Sequence, residues 1–146
     1  MVVGNTETGD VELDLCHRIV ALRPKDFAIA GTRRNLWPSW ELPPDGLIPA
    51  GSTFVELTTI RHDVHSDGNG RFLDFQILER FASGPSPKER QAARARFFAL
   101  YDALHMSEGW TGEASGGIYT DIRAIDGPRH LPDSHYVLNV TAWRPG

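Results

Sequence analysis

The residues whose types and spacing come closest to a chemical site run from Asp63 to Asp74: Asp63-Val64-His65-Ser66-Asp67-Gly68-Asn69-Gly70-Arg71-Phe72-Leu73-Asp74. Oxygen donors stand at the first and fifth positions and Gly at the sixth, which approaches the calcium-binding loop of a helix–loop–helix hand. Three departures weaken the pattern. His65 occupies a position that needs an oxygen, Asp74 replaces the long bidentate Glu at the end, and the flanks read as strands where the hand needs helices. A polar hairpin tip accounts for the same residues without an ion. The weak metal set is therefore Asp63, Asp67 and Asp74, and the expectation is that the chain uses no metal and no cofactor.

Other chemistry finds less support. His62 and His65 are three apart, which on a strand puts them on opposite faces and spoils a shared zinc. His130 and His135 flank a Pro-containing connection and read as surface loop residues. Cys16 is the only cysteine, so no disulfide forms within the chain. It stands among apolar residues and reads as a small buried hydrophobe. There is no Gly-x-Ser-x-Gly elbow, and the glycines from Gly112 to Gly117 lack the Lys-Ser/Thr and following helix of a phosphate loop. No paired-carboxylate site stands out. The absence of any catalytic cluster favours a binding or structural role over an enzyme.

The elements that would carry these residues can be read from periodicity. Val11, Leu15, Ile19 and Leu22 share one helical face, so Asp10 to Leu22 is expected to be a helix capped by Asp10 and ended before Pro24. Residues 1–9 are small and polar and are expected to be flexible. Phe27 to Ala30 is expected as a short strand. Asn35 to Pro49 holds Pro38, Pro43, Pro44 and Pro49, which bar a central strand or a helix and imply a long loop. Trp37 and Trp40 in that loop either fold back over the core or anchor a partner, since exposed Trp is typical of binding hot spots.

Phe54 to Arg61 and Arg71 to Ala82 read as two strands of a hairpin whose tip contains Asp67-Gly68 and Asn69-Gly70. Ser86 to His105 is the clearest element. Ser86 and Glu89 form a capping box around Pro87, and Ala93, Phe97, Leu100 and Leu104 make one apolar stripe. Ala92, Ala95, Ala99 and Ala103 form a second face of small residues, which either lets a neighbouring backbone approach or simply favours the helix. Phe98 belongs to neither face and is either covered by a loop or kept for another subunit. Ser107 to Gly117 reads as a Gly-rich loop, and Ile118 to Ile125 and Tyr136 to Trp143 as the last two strands.

The implied fold is a single α+β domain over residues 1–146. About five mostly antiparallel strands carry two packed helices, in the order α-β-β-β-α-β-β. A net charge of -4 argues against a dedicated nucleic-acid binder. No apolar run is long enough to span a membrane and no signal pattern opens the chain, so synthesis in a reducing cytoplasm is expected.

Three stretches together resemble the tail terminator, or tail-completion, proteins of long-tailed phages. These are the hairpin leading into the helix Ser86–His105, the Gly-rich stretch and strand from Gly116-Gly117-Ile118-Tyr119 to Ile125, and the ending Gly127-Pro128-Arg129-His130-Leu131-Pro132-Asp133 with Tyr136 to Arg144. The resemblance covers about residues 50–146 and only loosely the N-terminal third. It implies a non-enzymatic virion protein, assembled in the host cytoplasm and located at the head–tail junction. Six copies would form a ring that ends growth of the tail tube. The expected partners are further copies of the chain, the major tail tube protein and a head–tail connector or neck protein. DNA would pass through the ring without being read. Closed rings need heterologous contacts, and Trp37, Trp40, Phe98, Ala92, Ala95 and Ala99 are the residues that could make them. The alternatives are another head–tail joining or neck protein and, from a different class, a small calcium- or metal-binding module or enzyme using Asp63–Asp74.

Overall fold

The structure, a computed structural model, describes residues 3–41, 52–62, 70–80, 86–105, 107–124, 129–130 and 136–144. Among them the elements run α1 (Val3–Leu22), β1 (Leu36–Pro38), β2 (Ser52–His62), β3 (Arg71–Arg80), α2 (Pro87–Leu104), β4 (Ser107–Thr111), β5 (Ile118–Ala124), β6 (Arg129–His130) and β7 (Tyr136–Arg144).

Helix α2 forms where local sequence and tertiary demand agree. The Ser86 hydroxyl accepts from the Glu89 amide, the Glu89 carboxylate accepts from the Ser86 amide, and Pro87 occupies the first turn, where it removes no helical hydrogen bond. Its buried residues are Ala93, Phe97, Leu100 and Leu104, the stripe expected from periodicity. Helix α1 buries Val11, Leu15, Cys16 and Ile19 and ends at Leu22. It starts at Val3, well before the expected Asp10, so Asp10 lies inside the helix and does not cap it.

The strands form one mixed sheet in the order β1-β2-β3-β7-β5-β4, with β6 paired to β7. All neighbours are antiparallel except β1 and β2. Both helices lie on one face, α1 over β1 and β2 and α2 over β7 and β5, and they touch each other. Val55, Leu73, Phe75, Ile77, Leu138, Val140 and Ala142 meet them there. Each of these side chains larger than alanine contributes about 1.5–3 kcal/mol on burial, and the single methyl of Ala142 contributes less.

The class is as expected, α+β, but seven strands replace the expected five. Three strands come from segments read as loops or connections, Leu36–Pro38, Ser107–Thr111 and the two-residue Arg129–His130, and one expected strand is absent. Leu36–Pro38 opens the Pro-rich stretch as an edge strand, and Pro38 is tolerated because an edge needs no donor on its outer side. The rest of that stretch, 42–49, lies outside the described residues. Ser107–Thr111 pairs with β5 even though glycine lowers its strand propensity, because β5 supplies a ready ladder. Conversely, Phe27–Ala30 is not a strand. Phe27 is buried, and the Asn35 side chain pins the turn by donating to Asp26 O at 2.8 Å and accepting from Ala28 N at 2.9 Å.

Candidate functional site

Helix α1 carries two buried carboxylates, Glu12 and Asp14, that sequence reasoning missed. Glu12 accepts from the Ser39 amide at 3.0 Å, the Ser39 hydroxyl at 2.7 Å and the Leu57 amide at 2.8 Å. It thereby ties the helix to the end of β1 and to β2 at the register shift after Leu57.

Asp14 binds the loop between β4 and β5. It accepts from the Ala114 amide at 2.8 Å, the Ser115 amide at 3.1 Å, the Ser115 hydroxyl and the Tyr119 hydroxyl at 2.6 Å. Gly112 sits against this carboxylate, and a Cβ there would collide with it, while Gly116 turns the loop at φ +73°. The Gly-rich loop is thus an anion cradle of backbone amides, but the anion is supplied by the chain itself. Burial, then Asp14, pushes the Tyr119 phenol well above its ordinary range, so it stays a donor. The signal that could have revealed this is an acid beside Leu15 on the core-facing side of a helix, together with a glycine loop lacking any phosphate-loop lysine.

Glu79 is also fully buried, paired with Arg96 of α2. Burial raises its pKa, and Arg96 opposes the rise. Among the described residues, its second oxygen, Arg96 Nε and the Thr53 hydroxyl opposite it on β2 have no hydrogen-bond partner.

The expected chemical candidates resolve as follows. Cys16 is buried, and desolvation drives its thiol far above the usual range, so it is no nucleophile. Asp74 is not at the end of a ligand loop but inside β3. It is clasped by Arg61 through two bonds of 2.7 and 2.8 Å, by Thr59 at 2.7 Å and by Thr141 at 2.6 Å. The Arg61 bond chiefly holds its pKa down at about 2. Both oxygens are used, which leaves nothing directed at an ion. Asp63 and Asp67 lie outside the described residues, as do His65 and His135. Among the described residues no group of three His, Cys, Asp or Glu could hold a metal ion.

The expected contact residues divide. Trp37 is 7% exposed, packed in the core region with the Arg34 guanidinium 3.7 Å from its ring centroid. Arg34 is itself held by Glu41. Trp40, three residues on, is 58% exposed. On α2, Phe98 is 42% exposed while Phe97 beside it is 0%. Phe98, Ala95, Gln91 and Arg94 line a shallow depression, with the Arg94 guanidinium 5.5 Å from the Phe98 centroid. Ala92, Ala95 and Ala99 border an open cleft of about 460 Å³, lined on its other side by Arg23, Lys25, Asp26 and Asn35. The small residues therefore face the α1–β1 connection of their own chain across open space.

No family model and no curated protein matches the sequence. Among solved structures, the chain is similar to one described as "Virion of native gene transfer agent (GTA) particle", with a TM-score of 0.51 and 19% identity over 94% of each chain. At that identity the likeness is one of fold, and it spans nearly the whole of both chains. Among the described residues no helix is long and apolar enough to cross a membrane.

Proposed function

We propose that this chain is a structural subunit of a phage-like virion, and within that class a tail terminator. In this reading, six copies form a ring that ends the tail tube and meets the neck of the capsid, with DNA passing through unread. The observation that carries the reading is the shared fold, over 94% of both chains, with a component of a gene transfer agent virion.

The interior supports a role without catalysis. The buried carboxylates Glu12, Asp14 and Glu79 are engaged in holding helices to sheet and loop, and the thiol is shielded. The surface supports assembly. Large apolar groups stand exposed at Trp40, Phe98 and Ile118, and exposed aromatics of this kind anchor protein interfaces.

Mass in solution and negative-stain imaging test the reading, alone and with purified tail tubes. A ring of six subunits on the tube end is the expected result. A strict monomer in both settings overturns it.

A further inference from the structure

The chain is acidic as a whole but not uniformly. Residues 23–35, the connection from α1 to β1, carry Arg23, Lys25, Arg33 and Arg34, with Asp26 as the only acid. Residues 87–98, the first two thirds of α2, carry Lys88, Arg90, Arg94 and Arg96, with Glu89 as the only acid. Eight of the 15 Lys and Arg residues thus stand in these two stretches with two of the 19 Asp and Glu. The net charge of -4 hides a basic region.

The fold sets the two stretches against each other. Arg23 and Lys25 stand on one wall of the 460 Å³ cleft, and Ala92, Ala95, Arg96 and Ala99 form the other. Lys88 precedes Ala92 by four residues on α2 and so shares its face. The alanines keep their wall low and leave the space between the cations open.

The nearby acids take up only part of this charge. Asp26 binds Arg23, Glu41 binds Arg34 and Glu79 binds Arg96. Lys25, Arg33, Lys88, Arg90 and Arg94 are exposed, and among the described residues none of them makes an ion pair. Against these five stand Glu89, whose carboxylate accepts from the Ser86 amide, and Asp102 toward the end of α2.

The free cations do not converge on one point. Lys88 and Arg94 are roughly 9 Å apart along α2 at 1.5 Å per residue, and Lys25 lies across the cleft. A single oxyanion would reach few of them. A nucleic-acid duplex carries one negative charge per about 1.7 Å of its axis and meets cations that are spread out. The cleft walls also hold no large apolar side chain on which a peptide could anchor.

We infer that this basic cleft and its rim bind the phosphate backbone of nucleic acid without reading its sequence. Lys and Arg at phosphates supply affinity and position but carry no base information. The inference stands on the surface of one chain and does not require the ring. In the ring reading it gives the passing DNA a contact.

Fluorescence anisotropy of the full chain with short labelled duplexes tests it. Two duplexes of unrelated sequence should bind equally, with affinity falling steeply as salt rises. Lys25→Gln with Lys88→Gln should weaken binding by about tenfold and lower the salt slope by about two. Arg123→Gln, exposed on β5, should leave both unchanged. Circular dichroism checks that every variant is folded. No binding at low salt overturns the inference, and so does equal weakening by Arg123→Gln, which marks a diffuse attraction. Inorganic phosphate or poly-glutamate binding as tightly as the duplex, and losing as much in the lysine variant, overturns it in favour of a simple anion or an acidic peptide. Rings without duplex binding sink this inference alone, and duplex binding without rings sinks only the tail reading.

Discussion

Phe97 and Phe98 are neighbours on α2 with opposite fates. Phe97 is fully buried, with its ring 6.1 Å from that of Tyr136, whereas Phe98 is 42% exposed beside Arg94. One residue of helix turns a side chain by about 100°, which is enough to move it from sheet to solvent. The lesson is that identical chemistry contributes to different processes. Phe97 contributes to folding, and Phe98 keeps apolar surface in contact with solvent.

The sharpest way to break this comparison is to remove Phe97. Phe97→Ala should cost about 3–5 kcal/mol, a fall in Tm of roughly 10 °C for a chain of this size. A small loss in urea unfolding would mean that α2 is not anchored by its stripe. Next comes the polar counterpart on α1. Asp14→Ala strands two amides and a phenol in the interior and should cost about 3 kcal/mol. Faster hydrogen exchange at Ala114 and Ser115 would mark the loss, and unchanged exchange there would contradict the cradle.

A smaller effect is expected at Asp74. Its folded pKa, about 2, lies below the ordinary 3.8, so the clasp stabilises above pH 4 and is lost as pH falls through 2. Because Arg61 is half exposed, screening limits the contribution to about 1 kcal/mol. Asp74→Asn should flatten stability against pH between 4 and 2, and an unaltered slope there would assign it to other carboxylates. Smallest of all for the monomer is Phe98→Glu, expected within about 0.5 kcal/mol of the parent, yet abolishing assembly. If it unfolds the domain instead, the two phenylalanines are not the contrasting pair described.

The local elements were legible because their signals are local. The capping box at Ser86, the stripe Ala93–Phe97–Leu100–Leu104 and the alternation Leu73–Phe75–Ile77 each follow from backbone geometry over one or two turns. The two-layer α+β class followed from their order. The strands β1 and β4 were not legible. Three residues ending in Pro38, or five containing Gly109, become strands only when a neighbour offers its ladder.

The exposure of the expected contact residues was partly legible. Helical spacing alone separated Phe98 from the core stripe. Nothing local distinguished Trp37 from Trp40, because Arg34 and Glu41 form the cover over one of them only in the folded chain.

What this sequence determined alone is therefore where its helices and main strands run and which way their apolar faces point, since those depend on periods of 3.6 and 2. What only the tertiary structure decided is which charges are buried and what they hold. Asp14 meets Ser115 across the fold, and Glu12 meets Leu57. A carboxylate on a helix carries no mark of its distant amide partners. Whether it is solvated or clasped depends on which loop the sheet brings over it.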